Sequence, residues 1–255
     1  MGVVSWISTC PVKGLAIQRW DECELTAAGV VGDREFFLVD EEGRLVNCKR
    51  LGALQQITPR YDSTAGSLTL RFPDGKTVTE QIHHDGALDA RFWDTTVRVR
   101  LLDGPWSDAV SDFVGRNLRV VQAPGPAPDR LRGGAATLLG TGSLRAMARI
   151  LDVEEVDGRR FRMNFGIDGF GEHEEDTWIG RRVRLGEAVV VPQGNVGRCA
   201  VTTQNPDTGS PDLDTLKALA AYRNEVETTE PLPFGVHAAV AVPGRVRVGD
   251  AVDVV

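Results

Sequence analysis

Short alternating and β-branched runs, each cut off by a glycine-containing turn, recur so densely in this chain that they exclude a helical architecture. Glu35–Val39, the turn Asp40-Glu41-Glu42-Gly43 and Arg44–Cys48 read as a hairpin. Ser67–Phe72 alternates, turns at Pro73-Asp74-Gly75 and resumes at Lys76–Thr79, and Thr96–Leu101 alternates again. Roughly the first hundred residues are therefore expected to be nearly all strand and turn. The 28 glycines of the 255-residue chain supply the turns, because glycine adopts positive φ without steric cost.

Helices are expected to be few. Ser107–Asn117 sets Val110, Phe113, Val114 and then Leu118 at helical spacing, with Ser107 as N-cap, and Ser143–Leu151 is a second candidate. A third opens on Ser210 as N-cap and Pro211 at the first helical position, with Leu213, Leu216, Leu219 and Ala220 on one face. The Ala-Pro-Gly-Pro-Ala-Pro run at 123–128 reads as a loop or linker. Val183–Val191 returns 63 residues later as Val246–Val254, each a strand, a Gly-acid turn and a strand. One repeat does not make a solenoid, so the echo predicts two similar hairpin corners. Closure removes exposed strand edges, and strands this short and numerous favour a barrel. The expected fold is mainly β, of the β-barrel type, with a few short helices.

Charge and cysteine content narrow the function. With 29 basic and 36 acidic residues the net charge is −7, which argues against a general nucleic-acid binder. No apolar run approaches the roughly 18 residues of a membrane span. Met1–Trp6 has neither a basic region nor a sustained apolar stretch, so no signal peptide is read and a cytoplasmic location is expected. Cys10, Cys23, Cys48 and Cys199 form no CxxC pair and no zinc or iron–sulfur spacing. Isolated thiols ordinarily serve as small buried hydrophobes.

One of the four has an unusual setting. In Gly194–Thr203, two glycines allow backbone N–H groups to face an anion, and Arg198 adds a forked cation beside Cys199. A thiol so placed favours its thiolate, which ligates metals or attacks electrophiles. The plainer account is a loop feeding a strand that begins at Cys199. Read as a strand, Arg160–Ile167 puts Arg162 and Asn164 on one face and Phe161, Met163 and Phe165 on the other. That polar face suits a phosphate or a heterocycle edge, or simply water. Lys13, in Pro11–Gly14, and Arg34, in Gly32–Arg34, are cations in turn-prone stretches that by themselves read as surface charge.

Other patterns carry less. Gly140–Arg145 lacks the third glycine of a dinucleotide loop. His83-His84-Asp85 has no partner at ligand spacing and reads as a solvated loop, and Glu172–Asp176 reads as a charged turn before Trp178. There is no GxSxG elbow and no Walker loop.

Six stretches, in chain order, resemble the MOSC proteins (molybdenum-cofactor sulfurase C-terminal domain), and among them the amidoxime-reducing kind. They are Pro11-Val12-Lys13, Gly32-Asp33-Arg34, Arg162-Met163-Asn164, Glu175-Asp176-x-Trp178, Arg198-Cys199-x-x-Thr202-Thr203-x-x-Pro206-Asp207-Thr208-Gly209, and Pro233-Phe234-Gly235 through Val248–Val252. The resemblance spans essentially the whole chain. It implies an N-terminal MOSC β-barrel region, residues 1–100, packed on a MOSC domain, residues 101–255, with a molybdenum–molybdopterin cofactor between them. It further implies that Cys199 is the metal ligand and catalytic centre, with Lys13, Arg34, Ser143, Arg162, Asn164 and Arg198 around the cofactor. The implied activity is reduction of N-hydroxylated compounds such as amidoximes, hydroxylamines or N-hydroxylated bases. A sulfur carrier bearing a Cys199 persulfide and a non-catalytic cofactor carrier are the alternatives. Gly14 stands where such relatives often have serine, and His237 where an aromatic hydroxyl can be found. With no ferredoxin cysteine cluster and no dinucleotide motif, electrons are expected from a separate protein of the ferredoxin, flavin-reductase or cytochrome type.

Overall fold

The computed structural model describes every residue except 124, 126–133 and 229. Most of the proline-rich run read as a linker thus lies outside the described residues. The chain adopts the expected mainly-β, barrel-type fold. Gly2–Thr9 pairs with Phe165–Asp168 on one side and with Ala251–Val254 on the other. Val183–Leu185, Ala188–Gly197, Pro233–Val242 and Ala136–Gly140 follow in order and lead back to Phe165–Asp168, closing a barrel of seven strands. Alternation turns Val4, Ile7, Leu138, Phe165, Ile167 and Val236 inward, each with 0% exposure. Burying each such side chain contributes about 2 kcal/mol. No helix among the described residues is long and apolar enough to cross a membrane.

The rest of the first half is antiparallel, as the sequence predicts. Phe36–Val39 pairs with Leu45–Val46, and Ser67–Arg71 lies between Thr58–Asp62 and Thr77–Gln81. A long hairpin, His83–Phe92 with Thr95–Asp103, is joined through Arg119–Gln122 to Phe36–Val39. The His83-His84-Asp85 stretch begins this hairpin, so it is an exposed strand and not a loop. Helix α1, Trp106–Val114, plugs the gap between sheets with Trp106, whose indole N–H donates to the Leu68 carbonyl at 2.9 Å.

Helix α2, Thr141–Leu151, lies between two barrel strands that run parallel, Ala136–Gly140 and Phe165–Asp168. Helix α3, Thr215–Tyr222, packs Leu219 into the same apolar cluster as Met147 of α2. Three local expectations need correcting. Ser107 does not cap α1, which starts one residue earlier; its hydroxyl instead accepts the Val120 N–H at 3.1 Å. Ser210 and Pro211 do not open α3, because Pro211 forms a bridge with Gln204 and the helix starts four residues later. The second copy of the internal echo is not a hairpin. Gly244–Arg247 pairs with Glu22–Thr26, whereas Ala251–Val254 enters the barrel, because the Asp250 carboxylate accepts the Arg247 N–H and bends the corner away.

Candidate functional site

Cys199 is the only exposed thiol among the four free cysteines. It does not begin a strand as the plainer sequence account had it. The strand Ala188–Gly197 has already ended, and Cys199 caps a short 3₁₀ turn, Ala200–Thr203, in extended conformation. Cys10 and Cys48 are buried and Cys23 is half-buried. Burial pushes Cys23 up to about 12 and raises Cys48 above the usual thiol range, so both stay protonated at neutral pH.

The turn beyond Cys199 ties the two halves of the chain together. Gln204, at its end, donates to the Cys48 carbonyl at 3.0 Å and accepts from the Gln55 amide at 2.9 Å. Gln55 lies on the wall of a cleft of about 150 Å³ whose lining includes Gln18 and Gln56 from one half and Arg159, Arg162 and Asp207 from the other. Arg159 is held by Asp207 in a forked pair at 2.7 and 2.9 Å. Arg162 differs: it donates to the Cys10 sulfur and the Leu15 carbonyl, both at 2.8 Å, and weakly to Gln55. Among the described residues its hydrogen-bond partners include no carboxylate.

Arg162 and Asn164 are close in space, though not by sharing a strand face. Gly158–Phe161 is a 3₁₀ turn, Arg162 ends it in the left-handed region at φ 56°, and strand structure resumes only at Phe165. Arg34 is also left-handed, at φ 54°. Such backbone costs about 1 kcal/mol for a residue with a Cβ and persists where surrounding contacts fix it. Those contacts are present. Arg34 donates to the Arg162 carbonyl at 2.8 Å and pairs with the buried Asp33 carboxylate, which also accepts from the Asn164 amide at 2.9 Å and the Cys10 N–H at 2.6 Å. Arg34, Arg162 and Asn164 therefore form one network through Asp33 and Cys10, two residues the sequence reading left aside.

The other expected residues fall in three places. Lys13 sits with its ammonium 5.1 Å from the Trp93 ring centre. Arg198 is buried and aims its guanidinium inward, donating to the carbonyls of Phe161 and Phe234 and to the Met163 sulfur. Burial lowers its pKa to about 9, and it fastens the segment before Cys199 to the barrel. Ser143 has 0% exposure. Its hydroxyl donates to Glu175 at 2.7 Å and accepts the His173 N–H at 3.0 Å. Glu175 is also fully buried, and desolvation raises its pKa. The stretch read as a charged turn thus contains a core carboxylate, which composition alone conceals.

Gly14 has φ +94°, and a Cβ there would lie 3.0 Å from Asn47 Cα and 3.1 Å from the Cys48 nitrogen. This chain therefore holds glycine where the resemblance implies serine. Gly14→Ser is expected to cost about 1–2 kcal/mol and lower the melting temperature by a few degrees, read by thermal unfolding.

Fold and site together define a two-part β protein with one exposed thiol and a polar, arginine-lined cleft, linked through the Gln55–Gln204 hydrogen bond. The chain belongs to the MOSC family: the MOSC domain model matches residues 111–253 and the MOSC N-terminal beta barrel domain model matches residues 1–119. It is 26% identical to mouse mitochondrial amidoxime-reducing component 1 over 99% of this chain and 82% of that one. It is 27% identical to human mitochondrial amidoxime reducing component 2 over 99% and 83% of the two chains. A rice molybdenum cofactor sulfurase is 23% identical over 84% of this chain, which spans only 30% of that relative. Among solved structures, the YUAD protein of Bacillus subtilis shares the fold with TM-score 0.51 at 12% identity, covering 99% of this chain and 94% of that one.

Proposed function

We propose that this chain binds a molybdenum–molybdopterin cofactor at the cleft and reduces N-hydroxylated compounds, with Cys199 as the protein's ligand to the metal. The carrying observation is that the exposed Cys199 thiol and Arg162, a cleft arginine with no ion pair to a carboxylate among the described residues, both lie close enough to Cys48 to act on it electrostatically. The donor set fits such a group. Among the described residues no cluster of three or more His, Cys, Asp or Glu stands ready to hold a metal. A single soft thiolate suits a metal whose other ligands come with the cofactor. Kinship to proteins named for amidoxime reduction supports the same reading.

The bound group would supply the two-electron redox chemistry. The chain's residues do the rest. Arg162 and Lys13 would offset the charge of an anionic cofactor, while Arg34, Asp33 and Asn164 hold the strained Arg162 backbone. Arg198 fixes the segment that leads to Cys199, and Ser143 ties Glu175 to the His173 backbone. The balance is R₂N–OH plus two electrons and two protons, giving R₂NH and water. A separate ferredoxin, flavin-reductase or cytochrome-type protein would deliver the electrons, and the open cleft draws protons from solvent. The division near residue 100 belongs to this proposal, with the cofactor where the two regions meet.

Metal analysis tests it. Protein made in a cofactor-competent host is expected to carry near-stoichiometric molybdenum and to reduce a hydroxylamine with an artificial reductant. Cys199→Ala should lose both with little change in melting temperature, since the side chain is exposed. Exposure of Cys199 also favours a second reading, a persulfide-bearing sulfur carrier. Protein free of molybdenum but carrying cyanide-labile sulfur would establish that reading and sink the first. Molybdenum without turnover would mark a cofactor carrier.

A further inference from the structure

Trp93 is used by nothing described so far, and its placement is costly. Apart from the terminal Met1 and Val255 it is the most exposed large hydrophobic residue described, at 59%. It occupies the first central position of the two-residue turn linking His83–Phe92 to Thr95–Asp103, with φ 57°. A turn with positive φ at that position ordinarily takes glycine. A bulky aromatic residue there carries backbone strain and leaves a large apolar face in water.

What lies beside the ring explains why it is useful. Phe92 packs inward against Phe37 and gives Trp93 an edge-on support at 5.0 Å, so the indole is braced. The Lys13 ammonium lies 5.1 Å from its centre. Lys13 is followed by Gly14, which abuts the Cys48 backbone, and the Cys48 carbonyl is held by Gln204 at the end of the Cys199 turn. A braced aromatic face and an adjacent cation therefore stand near Cys48, which Cys199 also approaches closely enough to act on electrostatically. An aromatic face stacks on a flat heterocycle whatever its substituents, and a lysine beside it selects anions.

We propose that Trp93, with Lys13, is a stacking platform for an anionic planar nitrogen heterocycle at the mouth of the site. The location rests on the proposed function, but the binding chemistry stands apart from molybdenum. Two ligands share that chemistry: the pterin of the cofactor and a heterocyclic N-hydroxylated substrate such as a nucleobase derivative.

Titration calorimetry on the full chain purified without cofactor tests the platform, using pterin-6-carboxylate and N4-hydroxycytidine monophosphate in separate arms, with inorganic phosphate as control. At least one heterocycle should bind saturably and more tightly than phosphate. Trp93→Ala should weaken it about tenfold, Trp93→Tyr should restore most of the loss, and Lys13→Met should weaken it independently. Binding of the pterin alone assigns the platform to the cofactor, and binding of the nucleotide alone assigns it to substrate. Failure of both ligands to bind, or equal binding by Trp93→Ala, overturns it. Molybdenum content of protein from a competent host separates the two claims. Heterocycle binding through Trp93 without molybdenum uptake refutes the cofactor reading only, whereas molybdenum uptake and turnover with no effect of Trp93→Ala refutes the platform only.

Discussion

Gly209→Ala should lower the melting temperature by about 10 °C and strip the cleft of ligand binding, although residue 209 touches no expected ligand. The reason is a contact between two backbones. A Cβ on Gly209 would sit 1.9 Å from the carbonyl oxygen of Gly52, and one on Gly52 would sit 2.1 Å from that of Gly209. Neither obstacle is a flexible side chain, so the clash must be relieved by separating two turns. The moving turn carries Pro206 and Asp207, part of the cleft wall, and its Thr208 carbonyl accepts from Gln56 across the cleft at 3.1 Å. Gly209 also has φ +74°, which adds about 1 kcal/mol of strain for alanine to several kcal/mol of overlap. At this chain length each kcal/mol shifts the transition by roughly 2–4 °C. Gly75→Ala supplies the control: φ is +87°, but no atom lies within 4 Å of the added carbon. Thermal unfolding of both variants isolates the contact. Equal small shifts would show that the two turns are not locked together.

That lock illustrates what the sequence makes legible and what it hides. Local rules recover the hairpins around Asp40–Gly43 and Pro73–Gly75, because alternation and turn residues lie within a few positions of one another. They also place α1 and α2, whose buried positions repeat at helical spacing. They misplace the start of α3, since a proline that suits a helix's first turn equally suits a bridge to Gln204. The expected site residues come from an ordered set of motifs. Arg34, Arg162 and Asn164 do converge, but through Asp33 and Cys10. A buried aspartate beside an arginine looks like any surface pair, and Cys10 looks like an inert apolar residue. Their role depends on contacts more than a hundred residues apart in the chain, which no local pattern encodes. Glu175 is the same case: an acid run reads as solvated until Ser143 and the Gly140 N–H close around it.

The acid run also sets the way stability depends on pH. His173, two residues from Glu175, is packed between Tyr222 and Phe234, and neither ring nitrogen has a hydrogen-bond partner among the described residues. Desolvation, reinforced by the Arg223 charge and opposed by Asp176 and Glu172, pushes its pKa from 6.5 down to about 4. The unfolded chain therefore takes up the proton first as pH falls. Stability attributable to His173 is full above about pH 6.5, declines between there and about pH 4, and falls no further below. The total is at most about 3 kcal/mol, reduced by solvent screening of the partly exposed ring. Glu175 acts in the opposite sense: its raised pKa makes the folded chain take up a proton before the unfolded one, offsetting part of the loss. A difference measurement separates them. His173→Asn keeps a residue that tolerates the left-handed backbone at φ 52° but does not titrate. Melting temperatures of wild type and His173→Asn, taken every half unit from pH 7 to 4, should diverge. The wild type should lose several degrees more of melting temperature over that range, with the steepest separation between pH 6 and 5. Parallel curves would mean that the imidazole is hydrated in the folded chain.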